Sequence, residues 1–98
     1  MYTLGGLVSG VYFTYVLRCT DTNSCRVQLY VGYTTNLKDR IQNHKAKNTR
    51  STKSFDEIQL VYVEMCLNKT DARKRELQLK TGFGRGYLKR RLQNYLKE

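Results

Sequence analysis

Two short segments, 11–19 and 27–33, constrain the fold of this chain most, because both are rich in tyrosine and β-branched residues. Such residues favour strands, where their side chains pack on a pleated, half-buried surface. The intervening residues 20–24 include Asp, Asn and Ser, whose short side chains bond to nearby backbone groups and favour turns. The two segments are therefore predicted to form an antiparallel hairpin with a long loop.

A helix and a third strand are predicted after the hairpin. Residues 37–45 fit a short helix, because their apolar positions are four residues apart and residues 34–36 offer helix caps. Residues 46–54 are polar and cationic, as expected of a loop. Residues 58–65 alternate between apolar and polar side chains well enough to predict a strand.

Two more helices complete the predicted fold. One spans about 71–80 and is capped by Asn68 or Thr70. Glycines follow at 82, 84 and 86, and they are expected to end this helix and break the chain before a basic helix over 87–96. The order β-β-α-β-α-α predicts an α/β (α+β) fold, with a small, three-stranded, mostly antiparallel sheet flanked by helices.

Length and charge limit the chain to one small basic domain. Ninety-eight residues leave no room for two cores, so 11–98 is predicted to be a single domain behind a flexible lead-in at 1–10. The net charge is +10, and 16 of the 18 Lys and Arg residues lie at or beyond position 38. This balance indicates a polyanionic partner, and nucleic acid is favoured over an acidic membrane. Charge alone does not distinguish such a protein from a ribosomal protein or another basic soluble protein.

Cysteine usage and hydropathy bear on the compartment. The three cysteines form no CxxC pair, and with the single histidine they match no zinc motif. Cys19 and Cys25 could bridge on oxidation if they lie at neighbouring strand ends, but reduced cysteines are expected. No apolar run approaches the ~20 residues that a membrane span needs. A cytoplasmic protein without a membrane partner is expected.

Glu76 is the candidate metal ligand. In its predicted helix it shares a face with Ala72 and Leu79, which should meet the sheet. A carboxylate there is costly to bury unless it is paired or binds a cation. It can bind one hard divalent ion, Mg²⁺ or Mn²⁺, which takes few protein carboxylates and fills its shell with water and phosphate oxygens. The alternative is an ion pair with Arg73 or Lys80.

Four other side chains are candidates for catalysis: Tyr15, Tyr30, Arg40 and His44. The tyrosines lie on neighbouring predicted strands, and a nearby metal and cations can lower the pKa of a phenol from its usual value of about 10. Arg40 has the planar donor fork that stabilises charge on phosphate oxygens, and His44 follows one helical turn later. Each has a plainer alternative, namely a packed tyrosine, a solvated arginine or a structural histidine.

Two basic segments are candidate phosphate contacts. The cations concerned are Lys45, Lys47, Arg50 and Lys53 in the loop, and Arg85, Lys89, Arg90 and Arg91 in the last predicted helix. Tyrosines interleave with the second group and can stack on exposed bases. A solvated charged face is the alternative.

Taken in order, these residues resemble the GIY-YIG endonuclease superfamily, and in particular the small single-domain proteins related to the N-terminal nuclease domain of the C component of excinuclease. The resemblance rests on Phe13-Thr14-Tyr15, Tyr30-Val31-Gly32, Arg40 and His44 within residues 36–44, and Glu76. It covers nearly all of residues 11–96. Phe13 stands where the family has a glycine, and Tyr33 stands where some members carry a lysine.

The resemblance implies a metal-dependent DNA endonuclease, structure-selective and connected with repair, that hydrolyses phosphodiester bonds with a single Mg²⁺ or Mn²⁺. Glu76 would hold the ion. One of Tyr15 and Tyr30 would help to deprotonate the attacking water while the other positions it. Arg40 would neutralise the phosphate, and His44 would assist in positioning the water or the phosphate.

Partners follow from the same resemblance. DNA would be contacted through its phosphate backbone, an accessory protein could supply targeting, and a monomer or weak homodimer is expected. The alternative hypothesis is a DNA- or RNA-binding module on the same fold that cleaves weakly or not at all.

Overall fold

The structure, a computed structural model, describes residues 10–97, so the predicted lead-in lies outside the described residues except for Gly10. In chain order the elements are β1 (Tyr12–Asp21), β2 (Arg26–Thr34), α1 (Leu37–Lys45), β3 (Glu57–Cys66), α2 (Lys69–Leu79), α3 (Gly82–Arg91) and α4 (Gln93–Leu96). The predicted α+β class and the order β-β-α-β-α-α are confirmed, with a short α4 added at the end.

The sheet is antiparallel throughout, and β1 is its central strand in the order β2-β1-β3. Asp21 pairs with Arg26, which leaves a loop of residues 22–25 only. The predicted long hairpin loop is therefore wrong, because strand pairing continues through Thr20 and Asp21, which turn chemistry had assigned to the loop. Cys25 closes the short loop in the left-handed region, at φ 59°.

Helices cover both faces of the sheet, because successive strand residues point to opposite sides. On one face α1 packs on a cluster that contains Tyr15, Leu17, Cys19 and Phe55. On the other face α2 and α3 contribute Leu79 and Leu88 to a cluster with Val16 and Val31.

A polar network ties α2 and α3 to β3. The guanidinium of Arg75 donates to both carboxylate oxygens of Glu64, with its Nε 2.9 Å from Oε1 and Nη2 2.9 Å from Oε2. The Tyr62 hydroxyl donates to the same carboxylate at 2.7 Å, and its oxygen is 2.9 Å from that of Tyr87. The donors of Arg75 and Tyr62 thus occupy both carboxylate oxygens of Glu64, so we assign Glu64 to the scaffold.

The C-terminal helices differ from the prediction. α3 begins at Gly82 rather than at Tyr87, so Gly84 and Gly86 lie inside a helix that they were expected to precede. A Cβ at Gly84 would lie 2.3 Å from the Cα of Leu79, so glycine is needed here because two helices meet backbone to backbone. The predicted basic helix over 87–96 is instead divided at Leu92, which has φ −106° and ψ 19°.

All three cysteines are free, with Cys19 buried and Cys25 exposed in the hairpin loop. Within residues 10–97, no helix is both long enough and apolar enough to cross a membrane.

Candidate active site

The phenol of Tyr15 is the centre of the candidate site. Tyr15 lies opposite Gly32 in the β1–β2 register, and a Cβ on Gly32 would be 2.3 Å from both Cζ and Oη of Tyr15. Glycine is required there so that the ring can lie across β2. The close approach predicted for Gly32 is thus made by Tyr15 itself, which has no exposed surface.

α1 brings two polar side chains to this phenol. Leu37 and Ile41 hold the helix against the sheet, and Arg40 and His44 follow each other by one turn. The Nε of Arg40 donates to the Tyr15 oxygen at 3.1 Å, and the Nε2 of His44 lies 2.8 Å from the same oxygen. The structure therefore brings together three of the predicted residues.

Thr52 is a member of the site that the sequence did not indicate. Its hydroxyl oxygen lies 2.8 Å from Nδ1 of His44, and both side chains are buried. Thr52 sits in a hydrogen-bonded turn: its N–H donates to the Thr49 carbonyl, and its carbonyl accepts from the N–H of Phe55. Phe55 is buried and anchors that turn to the core.

Burial sets the protonation states at the centre of the site. The pKa of His44 is lowered to about 4, first because burial disfavours the imidazolium and then because Arg40 is nearby. Burial is also the largest cause that raises the pKa of Tyr15, and it outweighs the opposing hydrogen bond from Arg40. At neutral pH the centre consists of a neutral phenol, a neutral imidazole and a guanidinium cation.

Tyr30 lies beside this centre on β2. It is opposite Leu17 in the register, so its ring is on the same face as that of Tyr15, with ring centroids 6.4 Å apart. Its ring also meets His44 edge-on at 5.2 Å, and the side chain is only half-buried. Tyr30 therefore forms the wall between the buried phenol and solvent.

Glu76 approaches from the opposite face. α2 buries Ala72, Glu76 and Leu79, as predicted from their spacing. Because α2 and α1 pack on different faces, Glu76 lies on the other side of the edge strand β2. Its negative charge still reaches the phenol, where it is one of the causes that raise the pKa of Tyr15.

The ion pairs predicted as the alternative role of Glu76 are present. Lys80 Nζ lies 3.1 Å from Oε2, and Arg73 Nε lies 3.7 Å from Oε1. Arg73 also stacks over the ring of Tyr33, at 5.0 Å from its centroid. At the position where some family members carry a lysine, this chain thus has a tyrosine that supports an arginine of α2.

The donor set fits one hard divalent ion and no richer metal centre. Among residues 10–97, no three His, Cys, Asp or Glu side chains come together. A single carboxylate suffices for Mg²⁺ or Mn²⁺, whose remaining ligands are water and phosphate oxygens. The cations paired with Glu76 are on exposed side chains, so a divalent ion can replace them.

The predicted phosphate contacts are divided between the two faces. Lys45, Lys47, Arg50 and Lys53 belong to the end of α1 and the loop after it, and Arg85, Lys89, Arg90 and Arg91 belong to α3. All eight residues are exposed. The ammonium of Lys47 is already hydrogen-bonded to the carbonyl of Phe55.

Two concavities flank the sheet. The larger, about 680 Å³, has Lys45 and Lys47 in its wall together with Asp56 and Glu57, and none of the five candidate catalytic residues lines it. The smaller, about 480 Å³, lies between β2 and the start of α3 and includes Tyr30. Only the smaller one adjoins the candidate site.

Comparisons with known proteins identify the family of this chain. The GIY-YIG catalytic domain family matches residues 11–91. The UPF0213 protein of Pediococcus pentosaceus is 43% identical over 75 residues, which cover 76% of this chain and 73% of that protein. The UPF0213 protein of Staphylococcus haemolyticus is 39% identical over 71 residues, covering 71% of this chain and 80% of that protein. No solved structure matches the chain. By the family match and by these relatives, the chain belongs to the GIY-YIG family.

Proposed function

We propose that this GIY-YIG protein is a metal-dependent DNA endonuclease that hydrolyses phosphodiester bonds. The observation that carries the proposal is the buried phenol of Tyr15, which is held between the guanidinium of Arg40 and the neutral imidazole of His44. A buried tyrosine that only packs needs one hydrogen-bond partner for its hydroxyl, whereas this hydroxyl has both a cation and a base beside it. A phenol that passes a proton on needs an acceptor, and the imidazole at 2.8 Å can be that acceptor.

The proposed reaction moves one proton along this chain of side chains. The oxygen of the attacking water forms a bond to phosphorus while the bond to the leaving oxygen breaks. The water proton passes to the oxygen of Tyr15, whose own proton passes to Nε2 of His44. A neutral phenol is a poor base on its own, so Tyr15 depends on this second transfer, and movement of Arg40 away from the phenol would weaken one of the two causes that keep the pKa of His44 low.

Arg40 has two tasks in this proposal. In the free protein it covers the Tyr15 oxygen, which has no exposed surface. When a phosphate arrives, the guanidinium turns towards it, stabilises its charge and uncovers the phenol for water. Tyr30, half-buried beside the phenol, is placed to position that water.

Glu76 is the proposed ligand of the divalent ion. Such an ion supplies charge stabilisation at the scissile phosphate and its leaving oxygen. When no metal ion is bound, Lys80 and Arg73 neutralise the carboxylate of Glu76, so its negative charge always has a partner. Cleavage rates with Mg²⁺ and with Mn²⁺ distinguish the two ions.

The test is cleavage of end-labelled single-stranded, duplex, nicked and branched DNA with Mg²⁺, Mn²⁺ or EDTA. Glu76→Gln is expected to lower kcat at least about a hundredfold, and Tyr15→Phe to do the same. Glu57→Gln, an exposed carboxylate at the start of β3, is the matched control and should cleave normally. Metal-independent cleavage, or full activity of Glu76→Gln, would contradict the proposal.

One observation favours the second candidate, a nucleic-acid-binding module that cleaves weakly or not at all. Each carboxylate oxygen of Glu76 already has a cation beside it, and both cations must leave before an ion binds. On this alternative DNA binding persists in every variant above and no cleavage appears with either metal.

A basic surface and free cysteines are consistent with cytoplasmic work on DNA, with repair as the process. We expect a monomer or weak homodimer that relies on an accessory protein, or on the DNA structure itself, for targeting.

A further inference from the structure

The smaller concavity beside β2, called the groove below, has the size and lining of a nucleotide-binding site. Its volume is about 480 Å³, within the range of small-molecule sites. Leu29 of β2, which is half-buried, is the accessible leucine of its floor, and Leu79 and Leu88 lie beneath it almost fully buried. The floor therefore offers no partner for a phosphate but good contact for a flat apolar surface such as a base.

The rim of this groove is cationic. Lys80 follows α2, and Arg85 and Lys89 are one turn apart on α3, so three positive charges border one apolar floor. No acidic residue is among those that line it, whereas the larger concavity includes Asp56 and Glu57. The positive charge of the rim complements a polyanion. It disfavours as the occupant a protein surface that carries both acidic and basic side chains.

The groove is continuous with the candidate active site. Residue 30 lies at the border of the two, because the Tyr30 ring faces Tyr15 while residues 28–31 of β2 form one side of the groove. Lys80 belongs to both, because its ammonium lies 3.1 Å from Glu76. The contact between Lys80 and Glu76 therefore joins the groove to the proposed position of the scissile phosphate.

We propose that the groove binds an unpaired nucleotide adjacent to the scissile phosphate, with its base against Leu29 and its phosphates on Lys80, Arg85 and Lys89. The proposal rests on the function proposed above and adds the substrate class. In an intact duplex stacking covers the flat faces of the bases, so no base can lie against Leu29. DNA with an unpaired stretch at the cut site, such as an overhang, flap or single strand, is therefore the preferred substrate.

The test measures binding in EDTA, so it does not depend on cleavage. Fluorescence anisotropy compares the full chain on a blunt hairpin duplex and on the same duplex with a single-stranded overhang. The wild type should bind the overhang DNA at least about fivefold more tightly, the lower end of what one base contact contributes. Arg85→Gln/Lys89→Gln should remove that preference, while Lys69→Gln/Lys74→Gln, with equal charge loss on the exposed side of α2, should keep it.

A second pair of variants probes the floor. Leu29→Trp fills the groove, and Val27→Trp places the same ring on an exposed β2 position outside it. An abasic site scanned along the overhang should weaken binding of the wild type and of Val27→Trp at one position, about fivefold or more. The Leu29→Trp variant, checked for folding by circular dichroism, should show no such position.

The outcomes separate this proposal from the nuclease proposal. Equal affinity for blunt and overhang DNA, or an abasic scan without any effect, would overturn the groove and leave cleavage untouched. An overhang preference that survives in Leu29→Trp and in Arg85→Gln/Lys89→Gln would overturn it too, because the unpaired strand then binds elsewhere. Overhang preference without any cleavage would support the groove and count against the nuclease.

Discussion

The hydroxyl of Tyr15 belongs to a hydrogen-bonded chain of four side chains, which runs from Arg40 through Tyr15 and His44 to Thr52. Arg40 contributes its Nε–H, and Tyr15, neutral His44 and Thr52 have one donor each, so four donors serve three hydrogen bonds. The tautomer of His44 decides whether the hydroxyl of Tyr15 or that of Thr52 is the donor left without an acceptor. Neutral imidazole has one acceptor nitrogen, and the hydroxyls of Tyr15 and Thr52 compete for it. The phenol of Tyr15 is the stronger donor of the two, so it donates to Nε2. The favoured tautomer then carries its proton on Nδ1 and donates it to Thr52.

Replacement of Thr52 by valine tests this arrangement. Thr52→Val removes the acceptor of Nδ1–H, and a buried unsatisfied donor costs roughly 1–3 kcal/mol. The imidazole is expected to change to the Nε2–H tautomer, which can no longer accept the proton of Tyr15, and kcat should fall at least about tenfold. His44 is the only histidine, so ¹⁵N NMR of the imidazole reports the tautomer directly.

Two variants of the same loop are the controls. Thr52→Ser keeps the hydroxyl and should keep both the tautomer and the activity. Thr49→Val removes a hydroxyl that is also buried but has no hydrogen-bond partner, so it should change neither. An unchanged imidazole spectrum in Thr52→Val would show that the threonine does not position His44.

The sequence predicted Arg40, His44 and Tyr15 because each belongs to a pattern, either helical spacing or an alternating strand. Thr52 has no such pattern, since it sits among other hydroxyl and cationic residues in an irregular loop. Its role depends on a turn anchored by Phe55, and that contact is tertiary. A lone buried histidine does imply a partner for each ring nitrogen, but it does not name the partner.

Among the elements, α1 was predicted with its observed bounds, and the three strands were predicted to within two residues at each end. Their apolar periods are strong and their caps are local, as with Asn36, whose side chain accepts from the N–H of Asp39. α3 was misplaced because three glycines argue against a helix by local propensity. The contact with α2 overrides that propensity, and no local pattern records it.

A pair of alanine substitutions in α3 separates these two effects. Gly84→Ala places a Cβ 2.3 Å from the Leu79 backbone, so we expect a loss of roughly 1–3 kcal/mol in the free energy of unfolding, as for an overpacked core. At Gly86 the nearest atom would be the Arg90 guanidinium at 3.4 Å. Gly86→Ala should therefore stabilise the protein by about 0.5–1 kcal/mol through helix propensity alone.

Urea unfolding of the two variants beside wild type measures both changes. Similar stabilisation by the two alanines would mean that α2 and α3 do not meet at Gly84. Similar destabilisation would mean that α3 does not begin before Tyr87, which is what the local sequence pattern predicts.

At the scale of the whole molecule, the candidate site joins side chains from both faces of the sheet. Arg40 and His44 come from α1 on one face, Glu76 comes from α2 on the other, and β2 lies between them. The site can exist only when both layers are packed. The same packing buries the single histidine, which links the stability of the whole fold to its titration.

That link predicts an acid-sensitive fold. The His44 pKa is about 4 in the folded protein and about 6.5 when unfolded, so between these values the unfolded chain binds a proton that the folded chain does not. Stability is therefore complete above pH 6.5 and falls as pH falls, by up to about 1.4 kcal/mol per pH unit. Asp56 and Glu64 have pKa values below their usual range and stay ionised between pH 5 and about 6.5, which isolates His44 there. Urea midpoints across this window should decline for wild type and stay level for His44→Gln, and a level wild type would mean that the imidazole is solvated in the folded protein.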